Sequence, residues 1–241
     1  MLHKTRGIVF KTTDYGDNSI VVQIFTEKFG LQSYIVNGAK KPKAKINRNM
    51  FQPLHLLDLV VYHKNTGSVQ RIKEVKSVPV LQTIPYDVIK SSLAIFLNEV
   101  LYKAVKQQSA DEHLFGFVYH AIEWLDNQTA GLANFHLFLL VRLTRYLGFY
   151  PDVKLSANAA FFDLKNGVFC NHKPDTVLYL SPPHTQNFAM LLSSTFENLE
   201  QLKFSADERR FLLGKLLDYY ALHVEGFGNI RSHGVLEEVL G

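Results

Sequence analysis

The chain has 241 residues, 47% apolar and 20% charged, an ordinary globular composition for one or two domains. Fourteen glycines and eight prolines exclude a collagenous or low-complexity chain, and the single cysteine excludes an internal disulfide framework and a cysteine-rich zinc site. The net charge of +4 is unevenly spread: residues 1–80 hold thirteen Lys/Arg against five Asp/Glu, and residues 81–241 hold thirteen against seventeen, so a basic half positioned to meet a polyanion precedes a mildly acidic one.

The apolar run Gly7 to Phe10 is too short for a secretion signal. The longest uninterrupted aliphatic or aromatic run, Leu137 to Val141, falls far short of a membrane span. With one free thiol, these features predict a cytoplasmic protein.

The first 80 residues read as β. Gly7 to Lys11, Ser19 to Thr26, Leu31 to Asn37, Leu54 to His63 and Val69 to Val75 are short runs rich in Val, Ile, Phe and Tyr. Turn residues separate them: Asp14 to Asn18, Phe29-Gly30, Asn37-Gly38 and Lys64-Asn65-Thr66-Gly67, the last a hairpin signal. Five such strands predict a small barrel with room for little helix except around residues 46–51. The domain boundary is expected at residue 80, between Pro79 and Pro85.

Helical periodicity follows over Tyr86 to Val105. Ser109-Ala110-Asp111-Glu112 has capping-box spacing and predicts a second helix to about Asn127. A third is expected over Asn134 to Leu147, with Gly148 as its stop. Residues 152–183 change character. Phe161 to Leu164 and Val168 to Cys170 predict a hairpin, Val177 to Leu180 a further strand, and Phe161, Phe169 and Leu178 the packing that holds this insert together. A helix over His184 to Ser193, one opened by the Ser205–Glu208 capping box, and a short one after Ser232 complete an α+β chain: a five-stranded barrel followed by a helical domain, 81–241.

The strongest chemical signal is Lys40, Lys41, Lys43, Lys45 and Arg48, five cations within nine residues, in a stretch from Lys28 to Leu57 without an acid. Such a run beside Asn37-Gly38 and Pro42 predicts an exposed loop whose side chains neutralise phosphates. A merely solvated loop is the competing account, although ordinary surfaces interleave both signs. Small barrels with a cationic groove suit single strands, whose bases stack on aromatic rings; Tyr15, Phe29 and Tyr34 are candidates, against the commoner core role of such residues. Arg142 and Arg145, one turn apart on an apolar helix, have the spacing to receive a carboxylate-rich peptide whose aromatic group packs on Leu139 or Tyr146. Internal ion pairing with another helix is the alternative. Cys170, His172 and His184 fall short of a zinc ligand set, and no phosphate loop, nucleophile elbow or dinucleotide fingerprint is present.

Thr5 to Thr12 followed by Asp14-Tyr15-Gly16-Asp17, then Phe25 to Gly30, Asn37 to Lys43, Gln52-Pro53, Leu143 to Asp152, and Tyr220 to His223 with Gly226, resemble in order and spacing the RecO family of bacterial recombination mediators. The resemblance implies an N-terminal OB-fold and a helical C-terminal domain. It implies binding of single- and double-stranded DNA, strand annealing, and work with RecR to place RecA on DNA covered by single-strand-binding protein (SSB). It further implies a nucleoid-associated role in the RecF pathway, without enzymatic chemistry or a cofactor. On that basis Lys11, Lys40, Lys41, Lys43, Lys45 and Arg48 are expected to contact phosphates, Tyr15 to stack on bases, and Arg142 and Arg145 to dock the acidic SSB tail. Many family members carry a four-cysteine zinc module where this chain has residues 160–182. Only Cys170 stands there, and Phe161, Phe162 and Asp163 occupy the place of a cysteine pair, so zinc is not carried over. An OB-type adaptor that binds only proteins is the first rival reading. An enzyme acting on nucleic acid, which needs a carboxylate cluster the sequence does not display, is the second.

Overall fold

Five strands close into a barrel: β1 (Leu2–Tyr15), β2 (Ser19–Thr26), β3 (Gly30–Val36), β4 (Leu56–Tyr62) and β5 (Gln70–Ser77), in the order β1-β2-β3-β5-β4. The computed structural model describes residues 1–64, 69–154 and 159–240; the Asn65-Thr66-Gly67 turn lies outside the described residues. The seam is a short parallel pairing of β3 with β5, Tyr34 opposite Gln70 and Ile35 opposite Arg71, whereas the other pairings are antiparallel. This is the five-stranded Greek-key order of an OB-fold. Inward positions alternate with outward ones along each strand. Val9, Ile20, Val22, Ile24, Tyr34, Leu57, Leu59 and Val61 fill the barrel. The β1 strand is far longer than the apolar run Gly7 to Lys11 suggested, because its polar ends pair with β2 and β4 while their side chains face solvent. Gly7 sits where β1 crosses the core: a Cβ there would lie 2.6 Å from Ile24 and 2.8 Å from Leu59.

The chain divides into two compact units, Met1–Asn127 and Gln128–Gly241. The first holds the barrel and two helices, α1 (Val88–Ala104) and α2 (Glu112–Asn127). The Asp126 carboxylate accepts hydrogen bonds from the backbone N–H groups of Gln82 (2.7 Å), Thr83 (2.8 Å) and Ile84 (2.8 Å), which ties the segment after the barrel to the end of α2. Burial raises the Asp126 pKa, but those hydrogen bonds outweigh it and hold the group below the usual carboxylate range. Arg6 on β1 pairs with Glu27 through two nitrogens (2.6 and 3.1 Å) and lies over the rings of Tyr119 and Phe115 on α2. Asp87 caps α1 by accepting from Lys90 N–H at 2.9 Å. The start of α2 corrects the expected Ser109–Glu112 box. Asp111 accepts from Leu114 N–H at 2.9 Å, and the Ser109 carbonyl lies against Gly30 instead. Gly30 has φ +65°, and a Cβ there would lie 2.3 Å from that carbonyl.

The second unit holds α3 (Leu132–Leu147), α4 (His184–Ser193), α5 (Ala206–His223) and α6 (His233–Leu240). A small sheet of β6 (Phe161–Asp163), β7 (Val168–Cys170) and β8 (Tyr179–Leu180), in the order β7-β6-β8, sits between α3 and α4 in sequence. Gly148, with φ 86°, ends α3 by donating its N–H to the Thr144 carbonyl. The Ser205–Glu208 capping box forms as expected. Tyr219 and Tyr220 on α5 donate their hydroxyls to the carbonyls of Phe149 (2.7 Å) and Leu140 (2.8 Å), fastening α5 to α3 and its end. The insert packs through Phe162, Phe169 and Leu180 rather than Phe161, Phe169 and Leu178: strand alternation turns Phe162 inward onto Phe188 and Tyr219 and leaves Phe161 half-buried against Tyr179.

His136 on α3 is buried, and burial, reinforced by the charge of Arg209, pushes its pKa down to about 3. In the unfolded chain the ring titrates near its ordinary value of about 6.5. Between those values the unfolded chain binds a proton that the folded chain refuses, so this contribution to stability is full above pH 6.5 and is lost as pH falls. The loss is up to about 1.4 kcal/mol per pH unit. Urea denaturation at pH 7.5 and pH 5 is expected to show a loss of about 2 kcal/mol from this group. His136→Gln should flatten the dependence between those values; an unchanged pH profile in that variant would place the titration elsewhere.

Candidate nucleic-acid interface

The basic loop between β3 and β4 is pinned at both ends. Ala39 and Phe51 are buried in the barrel core, and Arg48 N–H donates to the Ala39 carbonyl at 3.1 Å. The Asn47 side chain accepts from Asn49 N–H at 3.1 Å and opens a 3₁₀ turn, Arg48–Phe51, at the place where residues 46–51 were expected to hold the barrel's one short helix. Lys40 N–H donates to the Asn18 carbonyl at 3.2 Å and its Nζ to the Gly16 carbonyl at 3.0 Å, so the loop rests on the β1–β2 turn. Cationic side chains are thereby presented from a rigid base.

The Asp14 carboxylate reaches two of those cations. It lies 2.5 Å from Arg48 Nη1 and 3.5 Å from Lys40 Nζ. The acid-free stretch in sequence therefore acquires an acid from β1, which strand pairing carries beside it. Reading Asp14 only as a turn residue missed this; its sequence signal is its place two residues from Gly16 at the tip of a hairpin. Lys41, Lys43 and Lys45 are exposed and make no ion pair among the described residues.

Lys11 and Tyr15 do not join this cluster. Alternation along β1 turns Thr12 and Asp14 toward the loop, where Thr12 Oγ1 donates to the Phe51 carbonyl at 2.7 Å. Lys11 and Tyr15 point from the other face of the strand. The Lys11 ammonium donates to the Tyr102 hydroxyl of α1 at 3.2 Å and sits 4.9 Å from that ring's centre. Tyr15 is 59% exposed at the end of β1. The other two aromatic candidates are corrected. Tyr34 is fully buried in the barrel core, and Phe29 stacks on His63 at 3.9 Å between ring centres, so neither presents a face to a base.

Arg142 and Arg145 on α3 differ from one another. Arg142 is partly buried, donates from Nη2 to the carbonyl of buried Ser194, and lies over the Phe138 ring. Arg145 is exposed, with its guanidinium 5.9 Å from the centre of the Tyr150 ring. Neither forms an ion pair among the described residues. Leu139 is buried and offers no surface to an incoming ring, whereas Tyr146 is half-exposed.

The insert does not fit zinc. Phe162 enters an aromatic cluster, Asp163 accepts from Lys165 N–H and from Asn166, and Cys170 Sγ donates to the His172 carbonyl. Among the described residues no three His, Cys, Asp or Glu side chains stand together as a metal site. Among the same residues no helix is long and apolar enough to cross a membrane.

A closed barrel of OB order, a pinned cationic loop and a helical part bearing a small sheet define an OB-fold protein with a helical C-terminal part. Residues 1–80 match the family described as Recombination protein O N terminal, and residues 85–232 match Recombination protein O C terminal. The chain belongs to the RecO family of DNA repair proteins. It is 36% identical over 239 residues to the DNA repair protein RecO of Azobacteroides pseudotrichonymphae, covering 99% of both chains. It is 38% identical over 238 residues to that of Flavobacterium psychrophilum, covering 98% of both, and 35% identical over 239 residues to that of Phocaeicola vulgatus, covering 99% of both.

The two arginines are expected to separate in a stability measurement. Arg142→Ala leaves the buried Ser194 carbonyl without its charged donor and should cost about 1–3 kcal/mol in urea denaturation. Arg145→Ala removes an exposed contact and should change stability by less than about 0.5 kcal/mol. Equal losses would contradict the different roles assigned to them.

Proposed function

We propose that this chain is a non-enzymatic DNA-binding protein that anneals complementary strands and, with RecR, helps load RecA on SSB-coated single-stranded DNA. The observation that carries the reading is the set Lys41, Lys43 and Lys45: exposed, unpaired among the described residues, and mounted on a loop anchored in a barrel of OB order. Residues 1–80 form the nucleic-acid-binding domain in this reading, and 81–241 the domain that meets protein partners. The phosphate contacts come from Lys40, Lys41, Lys43, Lys45 and Arg48, with Lys11 and Tyr15 engaging DNA that passes over the other face of β1.

The mechanism is electrostatic. Two DNA strands approaching each other repel through their phosphates, and ammonium and guanidinium groups held beside one backbone lower that repulsion and release condensed counterions. Flexible lysine side chains carry no base readout, so the bound strand keeps its pairing edges free. Pairing then proceeds without a bond being made or broken, and no nucleophile or general base takes part. Double-stranded DNA engages the same cations through its backbone. Arg145 offers its guanidinium to the carboxylates of the SSB tail, with Arg142 held beside it on the Ser194 carbonyl. These activities place the protein in the cytoplasm, on the nucleoid.

A salt titration of binding to a labelled oligodeoxynucleotide tests the reading. Affinity should fall steeply with salt, and Lys41→Ala/Lys43→Ala/Lys45→Ala should lower the magnitude of the salt slope by about 2, taking about 0.7 per single-strand phosphate. These exposed side chains make no ion pair among the described residues, so the variant should fold normally. Salt-independent binding would sink the proposal in favour of a protein-only adaptor, and an intact slope in the variant would overturn the assignment of the phosphate contacts to this loop. Faster annealing of SSB-coated complementary strands is the accompanying functional readout.

A further inference from the structure

The Asp14 contacts raise a question that the proposed function leaves open: why would a phosphate-binding loop carry an acid that occupies two of its cations? We propose that Asp14 is an internal stand-in for a DNA phosphate, which sets the affinity of the loop and hastens release of the strand. The proposal rests on the DNA-binding reading above and assigns the site its own competitor.

The geometry supports it in three ways. The carboxylate meets Arg48 at 2.5 Å and Lys40 at 3.5 Å, distances at which a phosphate oxygen would meet the same groups. The arrangement is open on the Arg48 side: the Asp14 side chain is 55% accessible, that of Arg48 46% and that of Lys40 23%, so an incoming anion meets Arg48 first and the less accessible Lys40 behind it. Finally, the tether is local. Asp14 is paired in β1 opposite Ile20 and lies two residues from Gly16, whose carbonyl accepts from Lys40. The carboxylate remains within reach of the two cations when a phosphate displaces it, and it recaptures them when the phosphate leaves.

The consequence is a division of labour within one loop. Lys41, Lys43 and Lys45 attract the backbone at all times, whereas Lys40 and Arg48 engage only when a phosphate outcompetes Asp14. Exposed ion pairs of this kind are individually weak, so the competition is one that a dense polyanion wins and an isolated anion does not. A strand held through such contacts exchanges readily, which suits a protein that must bring two strands together and then let them go.

The test compares wild type, Asp14→Asn, and Asp17→Asn. Asp17 is an exposed acid on the same turn that makes no ion pair among the described residues, so Asp17→Asn changes net charge equally without freeing a cation. Binding to a labelled oligodeoxythymidylate is followed by anisotropy across a salt series, with dissociation followed by stopped flow. Asp14→Asn is expected to bind about three- to tenfold more tightly at low salt, with a salt slope steeper by about 1 and slower dissociation. Asp17→Asn should change affinity by less than about twofold. In a Lys40→Ala/Arg48→Ala background the Asp14→Asn gain should vanish.

Equal gains in Asp14→Asn and Asp17→Asn would overturn the proposal, since general charge would then account for both. Weaker binding by Asp14→Asn would also overturn it and would make Asp14 a group that positions the two cations. In either case a steep wild-type salt slope leaves the DNA-binding reading standing. A flat wild-type slope overturns both.

Discussion

The closure of the barrel depends on how β1 bends. The strand pairs with β2 along one edge and with β4 along the other, and its fourteen residues make it the longest strand of the barrel. Its register with β2 shifts between Val9 and Lys11, leaving Phe10 as the extra residue of a bulge. The bulge increases local twist, which a small barrel needs in order to close. Phe10 follows inward-facing Val9 and so points away from the barrel interior. There the Phe10 ring stacks on Phe25, which in turn meets Phe115 of α2, and the Phe10 carbonyl accepts from Asn98 of α1 at 3.0 Å. A second register shift lies between Val60 and Val61 of β4, and Phe10 at the first supplies part of the apolar surface on which the first two helices pack.

The same bulge decides which β1 side chains face the basic loop. Beyond Phe10 the alternation places Thr12 and Asp14 on the loop side and Lys11 and Tyr15 on the other. Without the register shift these two pairs would exchange faces. The local electrostatics of the loop therefore follow from a backbone feature several residues away. Net charge alone describes this poorly. Most of the basic half's excess comes from a loop where the one carboxylate of a neighbouring strand is shared by two cations and three are left to solvent. Elsewhere in the first unit the charges serve the fold: Arg6 with Glu27 secures α2 to the barrel, and Asp126 holds the segment between barrel and helices.

Much of this architecture was legible in the residues. Strand and helix positions came from apolar periodicity, the end of α3 from Gly148, the start of α5 from the Ser205–Glu208 box, and the basic loop from charge clustered beside turn residues. What was not legible has common physical causes. The polar ends of β1 carry no hydrophobic signal, because an outward-facing strand residue needs only a pairing partner. Tyr34 and Phe29 look like surface aromatics near turns until register places one in the core and the other on His63. Phe161 and Phe162 are equivalent in composition, and only the pairing of β6 with β7 and β8 decides which is buried. Ser109 has the spacing of a cap, but α2 begins at Glu112, which makes Asp111 the residue next to its first turn and the one that accepts from Leu114 N–H.

The sequence by itself determined the class of the fold, the membership of a family of DNA repair proteins, the location of the cationic loop and the absence of the cysteines that a zinc module requires. These are properties of local pattern and composition, which each segment carries with it. The tertiary structure alone decided which charges stand free and which are matched, which aromatic rings can be reached, and that Arg142 is committed to the Ser194 carbonyl while Arg145 is not. Those depend on residues brought together from distant parts of the chain, Asp14 with Arg48 and Arg142 with Ser194. The energies of such contacts arise from distance and burial, and neither is written in a linear string.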